Sequence, residues 1–101
     1  MTYRVVFSPE AEAQLVALYL HIAEAASPEI AAKYTEGIVK ESESLGNLPR
    51  RGTRRDDIRP GLRTFGFRRR VTIAFEVTVD LVTILGVFYG GRDFEKAFEE
   101  E

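Results

Sequence analysis

Two apolar runs separated by a short polar break, VTIAFEV at 71–77 and LVTILGVFY at 81–89, force this chain into a β-hairpin against which everything else must pack. In the first run Val71, Ile73, Phe75 and Val77 alternate with Thr72, Ala74 and Glu76, the period of two that turns one row of side chains into a core. The second run is apolar almost throughout, so it is expected to be a central strand buried on both faces. A turn near Val79-Asp80 joins the two. Gly90-Gly91 then breaks the strand, and Arg92 and Asp93 emerge where the sheet ends.

Upstream, Tyr3–Phe7 reads as a short strand that stops at Ser8-Pro9-Glu10. Serine caps free backbone N–H groups, proline at the first helical position loses an N–H that would be orphaned anyway, and Glu10 and Glu12 suit the positive end of the helix dipole. The pattern predicts a helix over 9–25, with Ala11, Leu15, Leu18, Ile22 and Ala25 on one stripe. The same start signal at Ser27-Pro28-Glu29 opens a second helix over 28–46, carrying Ala31, Tyr34, Ile38 and Leu45, with Gly37 as a weak spot. So tight a connection makes the pair an antiparallel hairpin. A further strand runs from Leu62 to Phe67, with its turn near 66–69, and Asp93–Phe98 has the spacing of a short helical segment. The expected fold is α+β in a single domain over 1–101. It comprises an N-terminal strand, an antiparallel helical hairpin, a three-stranded antiparallel sheet and a short C-terminal helical segment. The N-terminal strand should lie beside the last strand.

Composition limits the chemistry. The absence of cysteine removes disulfides and thiolate sites, and a single histidine, His21, makes no cluster, so neither metal nor cofactor is expected. No apolar run approaches the roughly 18 residues of a membrane span, and the N-terminus lacks the pattern of an export signal, which points to the cytoplasm. The net charge of −2 hides a segregation: residues 50–70 carry nine arginines against Asp56 and Asp57, a local balance of +7 between acidic flanks. Such asymmetry marks a surface that meets an oppositely charged partner.

Several local patterns coincide with one family in order and spacing. They are Val5-x-Phe7-Ser8-Pro9-Glu10-Ala11, Leu48-Pro49 followed by Gly52, Gly61-Leu62-Arg63, Ile73-Ala74-Phe75, and the run Ile84 to Asp93. The sequence resembles the ParE-like branch of the RelE/ParE superfamily, the toxins of bacterial type II toxin-antitoxin pairs. The resemblance implies a cytoplasmic toxin that poisons DNA gyrase and is neutralised, as a hetero-oligomer, by a cognate ParD-like antitoxin. Two positions depart from the pattern: Gly86 stands where an arginine is common, and Tyr89 where a histidine is common. A RelE-like, ribosome-dependent mRNA endonuclease is the rival reading, but its C-terminal tyrosine is here Phe98, which has no ionisable group. No catalytic residue is therefore assigned. A degenerate toxin that only joins its antitoxin is the third reading.

The candidate antitoxin- or target-binding residues follow from exposure and charge. Tyr19 and Leu20, with Ala26, lie off the main helical stripe and would offer an apolar groove to a partner helix. Arg63, Arg68, Arg69 and Arg70 are expected to meet acidic residues of an antitoxin tail, with contact of Arg68–Arg70 to gyrase or to DNA held by gyrase, or simple protection of a strand edge, as the alternatives. Tyr89 and Arg92 stand at the end of the last strand. His21, on the polar side of its helix, is expected to be solvated.

Overall fold

In the computed structural model, which describes residues 2–90 together with Ala97 and Phe98, two helices pack on one face of a twisted sheet. The elements are β1 (Arg4–Phe7), α1 (Pro9–Ala25), α2 (Pro28–Glu43), β2 (Thr53–Arg54), β3 (Arg63–Phe67), β4 (Val71–Val77) and β5 (Leu81–Tyr89). Both helices begin where the Ser-Pro-Glu signals place them. The Ser8 hydroxyl accepts from the Ala11 N–H at 3.1 Å, and that of Ser27 from Ile30 at the same distance. Each such cap stabilises its helix by about 1 kcal/mol. Ser8 also donates to the Leu85 carbonyl at 3.3 Å, so one side chain starts α1 and fixes it to β5.

The sheet corrects the three-stranded antiparallel expectation. It has five strands in the order β1-β5-β4-β3-β2, with β1 parallel to β5 and the remaining pairs antiparallel. The N-terminal strand does lie beside the last one, in the register Val5 to Val82 and Phe7 to Ile84. β2 carries no apolar signal because Thr53 and Arg54 are both exposed; it is held by pairing with Thr64 and Arg63. With an edge strand on each side, β4 is the middle strand, and β5 is its neighbour rather than the centre. The second helix also ends earlier than expected, at Glu43, and tightens into a 3-10 turn over Ser44–Gly46. Of the expected C-terminal helical segment, Ala97 and Phe98 are helical, and the rest lies outside the described residues.

β5 is not uniformly buried, and the reason is a bulge. Ala74 faces Gly86 but Phe75 faces Ile84, so Leu85 is an extra residue that reverses the side-chain alternation. Ile84 and Val87, three positions apart, therefore both join the core under the helices, with Ala11, Leu18, Ile38, Phe65, Phe67, Ile73 and Phe75. Leu85 and Phe88 pack instead with Leu62, Ala74, Ile58 and Phe98 in a smaller cluster. The Val87 N–H lies beyond the reach of β1, and Gln14 of α1 accepts it at 2.7 Å. Gly37 of α2 lies against the sheet: a Cβ there would lie 2.9 Å from the tip of the Phe67 ring. Its helix-weakening glycine is thus a condition of that packing.

Ile73 is fully buried, so Ile73→Ala should cost about 2–5 kcal/mol in chemical denaturation. Leu15, which packs against the core while only partly buried, should cost less when truncated to alanine. Equal losses at the two positions would contradict this placement of the core. Gln14→Ala, which strips the Val87 N–H of its partner, should cost about 1–3 kcal/mol in the same measurement.

Candidate functional site

The β3–β4 connection, Arg68 to Arg70, is a tight turn built from arginine. The Arg70 N–H donates to the Phe67 carbonyl at 3.1 Å, and the intervening Arg68 and Arg69 have φ of 51° and 61°. This is the turn shape that Asn-Gly adopts freely, whereas residues with a Cβ lose about 1–2 kcal/mol each in the left-handed region. All three arginines are exposed. The Arg68 guanidinium rests 5.1 Å from the Phe67 ring centre and 5.7 Å from that of Tyr34, while Arg69 and Arg70 have no ion-pair partner among the described residues.

Around this tip the fold gathers aromatic groups from four elements. Tyr34 of α2 meets Phe67 edge-on at 5.3 Å, and its hydroxyl is buried with no hydrogen-bond partner among the described residues. Burial, followed by the neighbouring Tyr89, pushes the Tyr34 pKa up against the pull of Arg68 and Arg70, so it remains a donor at neutral pH. Tyr89 ends β5 opposite Val71, is 41% exposed, and lies 5.7 Å from the His21 ring of α1. The Gly90 N–H donates to the Arg70 carbonyl and fastens the end of β5 to the base of the turn.

Arg63 is set apart from this cluster. It lies at the other end of β3, about 16 Å from Arg68 along the strand, and its Nη1 donates to the Arg50 carbonyl at 2.8 Å. Most of the remaining arginines brace the 50–62 loop. Arg51 pairs with Glu41 at 2.6 Å and lies over Phe65, Arg54 pairs with Asp56 at 2.7 Å, Arg55 with Asp57 at 3.0 Å, and Arg59 lies over Phe98. The Gly61 N–H and then Arg54 hold the Asp56 carboxyl below its ordinary pKa. The +7 segment therefore divides into a braced loop and an unpaired tip.

A second surface lies on the helical hairpin. A cavity of about 690 Å³ opens there, lined by Leu15, Val16, Tyr19 and Val39 and by the charged residues Lys33, Glu36, Lys40 and Glu43. Val16 and Leu20, one turn apart on α1, are 59% and 61% exposed, and Ile30 of α2 is exposed as well. Tyr19 thus lines this groove, Leu20 stands exposed beside it on α1, and Ala26 is exposed at the end of the helix. The sequence reading missed Val16, although its spacing of four from Leu20 marks a second apolar stripe. It also read Tyr34 only as core, because nothing local indicates which turn a helix will face. Arg92 lies outside the described residues. Among the described residues no group of His, Cys, Asp or Glu could hold a metal ion, and no helix is long and apolar enough to cross a membrane.

The comparisons with known proteins agree with this geometry. Residues 5–94 match the family model of the ParE toxin of the type II toxin-antitoxin system parDE. A chain of the chromosomal ParDE toxin-antitoxin system of P. aeruginosa is similar in structure, with a TM-score of 0.77 and 27% identity over 87% of this chain and 96% of that one. A chain of the toxin-antitoxin complex RelBE2 from Mycobacterium tuberculosis shares the fold, with a TM-score of 0.59 and 21% identity over 88% of this chain and 99% of that one. A search of the curated proteins finds no significant match.

If the left-handed arginines strain the turn, the double substitution Arg68→Asn, Arg69→Gly should raise stability by about 1 kcal/mol in chemical denaturation. A loss of stability would show that the stacking of Arg68 on Phe67 and Tyr34 outweighs the strain. Because the Asp56 pKa is depressed in the folded state, its contribution is present above the unfolded pKa and is lost as pH falls through the folded one. The Asp56 carboxyl should accordingly titrate in the folded protein below its value in the Asp56 peptide, as followed by NMR.

Proposed function

The chain belongs to the ParE toxin family of type II toxin-antitoxin systems, and from that membership we propose a toxin that inhibits DNA gyrase in the cytoplasm by binding, without cleaving RNA. A ParD-like antitoxin holds it inactive in a hetero-oligomer. The observation that carries the choice of mechanism is Phe98. Its ring packs edge-on against Phe88 at 6.2 Å and is only 9% exposed, within the cluster that covers the far face of the sheet. RNA cleavage of the RelE type asks for an ionisable group there to move a proton, and a buried phenyl ring supplies none. Tyr89 does not replace it, since its ring contact is with His21 on the helix side of the sheet.

The groove on the helical hairpin supports the antitoxin as partner. Its apolar lining of Leu15, Val16, Tyr19 and Val39 suits the apolar face of an amphipathic helix, and the charged residues around it fix register. Exposed side chains such as Val16 and Leu20 gain burial only when a second chain covers them.

The purified protein should abolish gyrase supercoiling while leaving ribosome-bound mRNA intact. Codon-specific cleavage of that mRNA would reverse the assignment. Tyr89→Phe should leave toxicity largely unchanged, because no proton transfer is asked of that hydroxyl. Leu20→Glu and Val16→Glu should each weaken the complex with the antitoxin at every salt concentration, whereas a loss that vanished in high salt would mean that charge, not apolar burial, seats the partner.

A further inference from the structure

We infer that the Arg68–Arg70 tip, with Tyr34 and Tyr89 beside it, is a site for the phosphates of a nucleic-acid strand. Three observations converge on it. Arg69 and Arg70 are exposed cations with no ion-pair partner among the described residues, in a chain whose other described arginines mostly brace one loop. The Arg68 guanidinium is held against Tyr34 and Phe67, which fixes its position before any ligand arrives. Tyr89, 41% exposed, is fastened beside the turn by the bond from the Gly90 N–H to the Arg70 carbonyl.

Forked guanidinium groups and hydroxyl donors are the side chains that grip phosphate oxygens. The exposed Tyr89 ring, steadied by His21, adds a flat surface on which a base or sugar can lie. An acidic peptide would meet the same charges, but a peptide also needs apolar pockets for its side chains. The pocket of that kind is on the helical hairpin, lined by Leu15, Val16 and Tyr19. The two left-handed arginines fit the same reading, since an Asn-Gly turn would relieve the backbone and discard the charge.

The proposed site does not depend on gyrase being the target, because Arg69 and Arg70 are exposed in the free protein. Binding of a labelled duplex DNA and of a single-stranded RNA of the same sequence is measured by fluorescence anisotropy, with the toxin alone, from 50 to 200 mM salt. Three phosphate contacts should reduce affinity about 40-fold over that range for the duplex and about 20-fold for the single strand. Tighter binding of either strand supports the proposal and names the natural source of the phosphates. The variant R69Q/R70Q keeps both Cβ atoms and the packing of Arg68; it should bind more weakly and lose only about 3.5-fold on the duplex. An unchanged melting temperature assigns that loss to the site. Absence of salt-dependent binding, an R69Q/R70Q response equal to wild type, or tighter binding of a polyglutamate peptide than of either nucleic acid would each overturn the proposal.

Discussion

The pairing of β4 with β5, and the single extra residue Leu85 within it, is the constraint on which the rest of the molecule depends. Without the bulge, strict alternation from Ile84 would send Val87 and Tyr89 to the face away from the helices. With it, Val87 enters the main core and Tyr89 reaches His21 on α1. The same displacement sends Phe88 to the opposite face, where it joins Leu85 beneath Phe98. One residue thus decides what fills each side of the sheet and which side chains meet at the basic tip. Gln14 closes the account by satisfying the Val87 N–H at the edge that β1 is too short to cover.

Charge is managed by the same economy. Surface ion pairs such as Arg54–Asp56 and Arg55–Asp57 are screened by solvent and contribute little to stability. Their effect is to shape the loop between β2 and β3: Asp56 accepts from the Gly61 N–H while paired with Arg54. The tip keeps its charge unpaired and holds it on a strained backbone, the kind of feature that persists where binding needs it. Neutralising the braced arginines and neutralising the tip are therefore different experiments on one stretch of sequence.

The two surfaces meet along α1. Tyr19 lines the groove on the helical hairpin, and two residues later His21 stands against Tyr89 at the tip. Residues two apart on a helix face different directions, so α1 presents an apolar wall to one side and an imidazole to the other. A toxin of the ParE family that must be recognised both by a neutralising partner and by a target gains from such a division. Burial of apolar surface gives affinity that resists salt, whereas attraction between charges is what salt removes.

What the sequence determined by itself is local. The Ser-Pro-Glu caps start both helices at their observed first residues, the alternation over 71–77 forms β4, and the ordered motifs from Val5 to Asp93 identify the family. Each of these signals is complete within a few residues or one turn, so no distant contact is needed to read it. What only the tertiary structure decided is register and neighbourhood. The parallel pairing of β1 with β5, the exposed two-residue β2 and the bulge at Leu85 all arise from pairing between separate segments of the chain, tied by contacts such as Ser8 with Leu85. In LVTILGVFY every position is apolar enough to be buried, so the pattern cannot show where alternation slips. Only packing against α1 and the covering Phe98 selects the register that brings Tyr89 and His21 together.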